Sequence, residues 1–338
     1  MLDGPHAVNF VPGIKGLAAR GIRGYGEVMN LHTANEQVAA ARGHALALAA
    51  SEMTVLVVTG SDRLSWLNGM LTCDLAAAKP GDVAYGLAVT VKGRILSDVI
   101  VIVDPERVLL SVERAAVDRL RASFDRHLMM EDAVVGGAPE LGTWFVHGPR
   151  AAEVLAAARR GHASGGSFDR TGLGGAVICA PTPFEPHVER AVASVGGMMG
   201  DRAGWDTLRV ERGVAAFGVD FGEETYPQEA GLEKTAVSFA KGCYLGQEVV
   251  CMLEMRGHVK RKLVSLVMSP GAEVPPPGAA ILDAAGTPVG QITSAALSPT
   301  RGRPMALAMV KYASASLGGA VNVGSSAAEI IDPTRPGP

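Results

Sequence analysis

Paired cysteines are missing from this chain. Its four cysteines, Cys73, Cys179, Cys243 and Cys251, are scattered through 338 residues with no C-x-x-C pair. A disulfide framework is therefore not the organising principle of a chain this size. A resident zinc or iron–sulfur site also lacks the two close ligand pairs it normally needs, so no metal is expected. Charge of one sign is missing too: the formal net charge is −3, which gives no global attraction to nucleic acid or anionic lipid. Aromatic residues make up only 5% of the chain, and the basic stretches have no interleaved rings on which bases could stack, which argues against nucleic acid. Long apolar runs are absent. The windows "TVLVVTG" and "DVIVIVD" are strand-length, far below the ~20 residues of a membrane-crossing helix. The start, "MLDGPHAVNFVP", has no basic stretch leading into an apolar run, so it reads as no signal peptide and the protein as cytoplasmic.

What is present is a globular composition, 48% hydrophobic and 19% charged, in a chain long enough for two or three cores. Residues 1–31, rich in Gly and Arg, read as an N-terminal extension. The run Ala34–Ala50, "ANEQVAAARGHALALAA", favours helix. "MTVLVVTG" reads as a strand, and "SDRLSWLNGMLTCDL" as a capped helix with Leu64, Trp66, Leu67 and Leu71 on one face. "DVAYGLAVTVKGRILSDVIVIV" reads as two strands turning at Lys92-Gly93, followed by the strand "RVLLSV" and a helix over "RAAVDRLRASFDRHLMM". These segments form an α+β unit over residues 59–140. Residues 32–58 and 141–261 form a second α+β region. Within it, "RRGHASGGSFDRTGLGG" is expected as an exposed connection with no phosphate-binding pattern. From residue 262 to 338, short strands punctuated by Pro and Gly indicate a small β-barrel.

One stretch fits none of these categories: "KGCYLGQE", Lys241, Gly242, Cys243, Tyr244, Leu245, Gly246, Gln247 and Glu248. A lone cysteine is most often a small core residue. Here a lysine stands two residues before it and a helix starts just after it, and both favour thiolate. Cys243 is therefore read as a functional thiol, with inert filler as the alternative. Tyr244 could stack on a ligand or pack the motif. Gln247 and Glu248 could cap the helix start. Further on, Arg256, His258, Lys260, Arg261 and Lys262 make the densest basic run. It is either a solvated linker or a site for an anionic tail or partner.

The segments "GWDTLRVERGVAAFGVDF" and "TYPQEAGLEKTAVSF" resemble the core of the glycine cleavage T-protein, a folate-dependent aminomethyltransferase. "LSWLNGMLTCDLAAAKPG" and "GTPVGQITSAALSPTRGRPMALAMV" resemble other parts of the same superfamily. The motif "KGCYLGQE" is similar to the signature of the YgfZ branch, folate-binding proteins linked to iron–sulfur cluster assembly and repair. The resemblance implies a three-domain ring: two α+β domains and a C-terminal β-barrel, with tetrahydrofolate or a one-carbon derivative bound centrally.

It also implies roles. Glu211, in "LRVERG", would contact the folate, because a carboxylate can accept both N–H donors of a pterin edge. Its bland alternative is a surface pair with Arg209 or Arg212. Asp98, in "KGRILSDVIV", would lie near the folate and act in acid/base or electrostatic support. By alternation it shares a face with Leu96 and Ile100, so it is expected in a cavity or partnered. Val112 stands where the catalytic family tends to carry an amide, and reads as a loss on the ligand side. The implied function is a folate-binding accessory protein acting on iron–sulfur clusters through Cys243, with iron–sulfur proteins or assembly factors as partners. The alternatives are a true aminomethyltransferase and a folate-independent interaction module.

Overall fold

The computed structural model describes residues 32–257 and 259–334, and within them every side chain except that of Arg256. The expected extension over residues 1–31 and the basic-run residue His258 lie outside the described residues. The first helix, α1 (Ala34–Gly43), begins in a capping box. The Thr33 hydroxyl accepts from the Glu36 N–H at 3.3 Å, and the Glu36 carboxylate accepts from the Thr33 N–H at 2.7 Å, so two otherwise orphaned donors are satisfied reciprocally. The helix stops at Gly43, and Leu46–Ala49 form a strand, β1.

Strands β2 (Met53–Thr59), β3 (Val83–Val89), β4 (Ile95–Val103), β5 (Val108–Glu113) and β6 (Val134–Gly137) form a five-stranded sheet in the order β3-β4-β5-β2-β6. Helices α2 (Arg63–Met70) and α3 (Val117–His127) cover its outer face. Leu67, Leu71, Leu120 and Phe124 are buried there against Leu56, Val99 and Val101, each worth roughly 1.5–3 kcal/mol in transfer terms. Trp66 meets Phe124 edge-on at 5.1 Å. The expected switch between the two α+β regions at residue 59 falls earlier, in the Ala50–Glu52 turn, because β2 pairs with β5 and β6.

The second sheet adds β7 (Leu141–His147), β8 (Ser164–Ser167), β9 (Gly175–Pro181) and β10 (Met198–Met199) to β1, in the order β10-β1-β7-β9-β8. This explains why "ALALAA" departs from the helix its alanines favour. β1 pairs antiparallel with β7 and parallel with β10, and a strand paired on both sides and buried at Leu46, Ala47 and Leu48 outweighs a few tenths of a kcal/mol per residue of propensity. Helices α4 (Ala151–Arg160) and α5 (Glu185–Ser194) pack on the outer face through Val154, Val188 and Val192. The helix α6 (Arg202–Arg212) lies beside α1, burying Leu208 against Val38 and Leu46.

The inner faces of the two sheets meet. Val55, Ile100, Ile102 and Leu109 of the first pack against Phe145, Val177 and Cys179 of the second. A hydroxyl pair, Ser111 with Thr143 at 2.7 Å, bridges them. After α7 (Gln247–Arg256), six strands close a barrel in the order β11-β14-β13-β12-β15-β16. They are β11 (Arg261–Met268), β12 (Ala280–Leu282), β13 (Pro288–Ser298), β14 (Arg303–Lys311), β15 (Ala320–Val323) and β16 (Ser326–Ile331). The expected architecture of two α+β domains and a C-terminal barrel is present. Arg209, only 3% exposed, joins α6 to the barrel. It donates to Asp220 at 2.7 Å and to the Ser294 hydroxyl at 2.9 Å, and Asp220 accepts from Thr293 and Ser294 at 2.6 Å each. No helix among the described residues is long and apolar enough to cross a membrane.

Candidate functional site

A cavity of about 640 Å³ opens where the β1–β2 turn, the inner ends of β4 and β5, the start of α6 and residues 215–219 converge. That volume suits a drug-sized ligand. Asp98 lines it and is 5% exposed. Its Oδ2 accepts from the Tyr85 hydroxyl at 3.0 Å, while Oδ1 has no hydrogen-bond partner among the described residues. Burial raises the Asp98 carboxyl above the usual range, opposed by Arg170 and the Tyr85 bond. The Arg170 guanidinium lies 5.0 Å from the centre of the Tyr85 ring and donates to the Ala215 carbonyl at 2.9 Å.

A bulge in β4 produces this orientation. Ser97 pairs with Ala88 and Ile95 with Val89, so Leu96 is the extra residue. Leu96 therefore packs with Val99 and Val101 beneath the helices, while Asp98 and Ile100 line the cavity. The expectation that Leu96 shares the face of Asp98 is corrected by that one inserted residue. Val112 likewise points into the core beneath the helices, so the amide missing there is no loss on the ligand side. The cavity position is Glu113. Burial first, then the neighbouring Asp98 and Glu52, push its carboxyl up to about 7.

Three aromatic residues, Phe145, Trp205 and Phe217, also line the cavity. Trp205 stacks on His147 with ring centres 4.6 Å apart and planes 6° from parallel. His147 is buried with neither ring nitrogen hydrogen-bonded among the described residues. Burial, and then Arg170, push it down to about 3, so the imidazole is neutral. The site thus combines an apolar slot, a buried carboxyl with one free oxygen, and a second carboxyl that exchanges its proton near neutrality. It can take a flat heterocycle and accept a hydrogen bond or a proton from one of its nitrogens.

Family models match two stretches: the GCVT N-terminal domain over residues 22–169, and the glycine cleavage T-protein C-terminal barrel domain over residues 261–332. The mitochondrial aminomethyltransferase of Gallus gallus is 30% identical over 312 residues, covering 80% of this chain and 76% of its own. The chain belongs to the glycine cleavage T-protein family. The aminomethyltransferase of Nostoc sp. is 28% identical over 293 residues, covering 79% of this chain and 77% of its own. A crystal structure of the glycine cleavage aminomethyltransferase T of Bartonella henselae superposes with a TM-score of 0.77 at 22% identity, covering 88% of each chain, which supports the fold. These relatives correct the functional expectation. Proteins named aminomethyltransferase match most of the chain, so the iron–sulfur role and its iron–sulfur partners give way to the expected alternative.

Within this T-protein fold the "KGCYLGQE" stretch does not line the cavity. Lys241 is only 9% exposed. Its ammonium donates to the carbonyls of Asn68 at 2.6 Å, Leu71 at 2.9 Å and Cys73 at 2.5 Å. It thereby satisfies carbonyls that the end of α2 leaves open. Cys243 is exposed, and the lysine expected to favour its thiolate is committed to α2 instead. Tyr244 is 6% exposed and packs among Leu87, Val89, Ile95 and Ala236, so it is a core residue. Gly246 adopts φ 78°, where an added Cβ would collide with the Thr90 carbonyl oxygen. Gly242 meets no such contact. The Gln247 amide reaches the Gly242 carbonyl at 3.4 Å, and Glu248 is exposed in the first turn of α7.

Glu211 also lies off the cavity. It accepts from the Ser298 hydroxyl, from the Thr300 N–H at 3.0 Å and from Arg42 at 3.1 Å. Burial alone would raise its carboxyl, but these donors outweigh burial and hold it below the usual range. It ties α6 to the barrel and to α1. In the basic run, Arg261 pairs with Glu229 at 3.3 Å and donates to the Glu224 carbonyl at 3.0 Å, while Lys260 is exposed. Neither Arg261, Lys260 nor Lys262 lines the cavity.

Sequence reasoning missed Glu113, Arg170 and Trp205. Trp205 stood inside the quoted "GWDTLRVERG", but ring type alone does not distinguish a wall from a core. Arg170 lies in the stretch expected as an exposed connection. Four of those residues form β8, and Phe168 beside it is 8% exposed.

Proposed function

We propose that the protein binds tetrahydrofolate or a one-carbon derivative in this cavity and acts as an aminomethyltransferase. The observation that carries the reading is the buried, unpartnered Oδ1 of Asp98 in a slot walled by Phe145, Trp205 and Phe217. An orphaned acceptor in a dry site costs about 1–3 kcal/mol unless a ligand supplies the donor. The donor set fits the cofactor: flat walls for a bicyclic ring and a carboxyl for its N–H groups. Bound tetrahydrofolate supplies the nucleophilic nitrogens that accept the one-carbon unit.

The protein's own groups do the rest. Asp98, with its carboxyl raised by burial, accepts a proton from a ligand nitrogen and returns it. Glu113, near 7, exchanges a proton with solvent at the cavity mouth. Arg170 steadies the charge on Asp98 from across the Tyr85 ring. Stacking on His147 holds the Trp205 plane without adding a charge. The Lys-Gly-Cys-Tyr-x-Gly-Gln-Glu motif supports placing the chain in the YgfZ branch of the family, as a folate-binding member.

The test supplies purified protein with an aminomethylated carrier and tetrahydrofolate and measures methylene-tetrahydrofolate. Asp98→Asn should lower the rate by roughly a hundredfold or more while folate still binds by calorimetry. Binding without turnover in the wild-type protein would remove the transferase reading. No binding at all would leave the folate-independent module.

A further inference from the structure

The charged walls of the Asp98 cavity are Glu52, Asp98, Glu113 and Asp201 against Arg170 and Arg202. Several of them are already spent within the protein. The Asp201 carboxylate caps α6, accepting from the Gly204 N–H at 2.9 Å. Arg202 donates to Asp206 at 2.8 Å, and Arg170 donates to the Ala215 carbonyl and lies over the Tyr85 ring. The side chains of Glu52 and Glu113 make no hydrogen bond to another protein group among the described residues, and Asp98 keeps Oδ1 unpartnered. The groups left over are acceptors, and all carry or can carry negative charge. A smaller cavity of about 220 Å³ shares the Arg170 and Ala215 walls. Its one carboxylate, Asp169, is committed to its own loop through the N–H groups of Thr171 at 2.9 Å, Gly172 at 2.8 Å and Gly174 at 2.9 Å. The unspent carboxyls belong to the larger cavity.

Strand register sets two of these carboxyls against each other. Val99 pairs with Val112 and Ile100 with Ser111, which puts Asp98 of β4 directly opposite Glu113 of β5. Facing side chains on one side of a sheet stand about 5 Å apart at Cβ, and both of these line the cavity. Asp98 is the buried member and Glu113 the one nearer solvent. On its other side Glu113 pairs with Met53 of β2, so it meets a thioether side chain there and no cation. Two carboxyls so placed repel when both are ionised. That repulsion, with Glu52 adding to it and Arg202 and Arg170 opposing it, joins burial in pushing Glu113 up to about 7. A cation brought between the pair relieves the repulsion and lets both carboxyls ionise.

We propose that Glu113 determines donor specificity: its carboxylate, with Glu52 beside it, receives the ammonium of the incoming one-carbon donor while Asp98 serves the folate nitrogen. This rests on the aminomethyltransferase reading of the cavity. An aminomethyl group carries a protonated amine at neutral pH, and an ammonium meets a carboxylate through charge-assisted hydrogen bonds, the strong kind. Because Glu113 and Asp98 face each other across neighbouring strands, an amine held by the first stands next to a ring nitrogen held by the second. Group transfer between two bound partners needs that closeness. The substrate class that follows is a donor with a protonated primary or secondary amine. A donor whose nitrogen is a neutral amide leaves both glutamates unpaired and is rejected for that reason.

The experiment titrates the full chain with methylammonium chloride, with and without 5-formyltetrahydrofolate, and reads the melting temperature against potassium and magnesium chloride at equal ionic strength. Methylammonium should raise the wild-type midpoint saturably, and Glu113→Gln should abolish the rise. In steady-state assays methylammonium should compete with the aminomethylated carrier. Glu113→Gln should raise the KM for that carrier about tenfold or more, with the Kd for 5-formyltetrahydrofolate within about twofold of wild type. No rise in the wild-type protein overturns the assignment without depending on any variant's folding. So does a rise that potassium or magnesium reproduces, or one that survives Glu113→Gln. A folate Kd that worsens as much as the donor KM assigns Glu113 to the folate and also overturns it. Saturable binding of methylammonium by a wild-type protein that turns over no carrier removes the transferase reading and leaves the amine site standing.

Discussion

His147 shows at the scale of one side chain how packing replaces polarity in this protein. Its ring is stacked flat on Trp205, and the fold supplies neither nitrogen with a partner. The unfolded chain takes up a proton below the ordinary value of 6.5, whereas the folded chain does so only near 3. Stability therefore falls as pH drops from 6.5 toward 3, by about 1.4 kcal/mol per pH unit. His147→Phe keeps the stack and removes the titration, so its denaturation midpoint should decline less than the wild-type midpoint across that window. Parallel declines in the two proteins would show that other groups carry the acid sensitivity. Glu113 acts in the opposite sense, its contribution being lost as pH rises from 4.5 through about 7. It is only partly buried, so that effect is screened.

At the scale of elements, local chemistry was legible where the backbone itself made the signal. The hairpin at Lys92-Gly93, the strands of the barrel and the helix α2 follow from turn residues and periodicity, although the expected side-chain cap of α2 is not made, since Asp62 stands at its N-cap without a cap hydrogen bond. Asp98, expected in a cavity or partnered, lines the cavity and also accepts from the Tyr85 hydroxyl, although the β4 bulge that turns it there is invisible to a strict alternation. In the "KGCYLGQE" motif, two residues of sequence separation between Lys241 and Cys243 do not say which groups the ammonium serves. The lysine instead works on an element 170 residues away. Lys241→Met should destabilise the fold by about 3 kcal/mol, since several buried carbonyls lose a charged donor together. Under native conditions the labelling rate of the exposed Cys243 thiol should not change. Faster or slower alkylation in that variant would mean that the ammonium does reach the thiol.

For the whole molecule, Arg209 is decisive because it binds α6, the loop carrying Asp220 and the barrel into one buried network. Removing one partner of such a pair leaves the other charged and buried, at a cost of about 3–5 kcal/mol. Arg209→Met should lower the melting temperature, with the backbone amides of the barrel strands exchanging with deuterium before those of the two sheets. The wild-type protein should melt in one transition. Separate barrel unfolding in the wild type would show that the network does not couple them. None of this was legible in the sequence, where Arg209 and Glu211 are one turn's neighbours and their partners lie 85 and 87 residues on.

The larger cavity draws its walls from Leu48 in β1 through to Val219. During synthesis no ligand can therefore engage until almost two-thirds of the chain has emerged and both sheets have met. Occupancy then acts as a late fastener: a ligand at a hundred times its Kd adds about 2.7 kcal/mol to the assembled form alone. Cellular lifetime would follow the supply of that ligand, with half-made or ligand-starved copies the first to meet a protease.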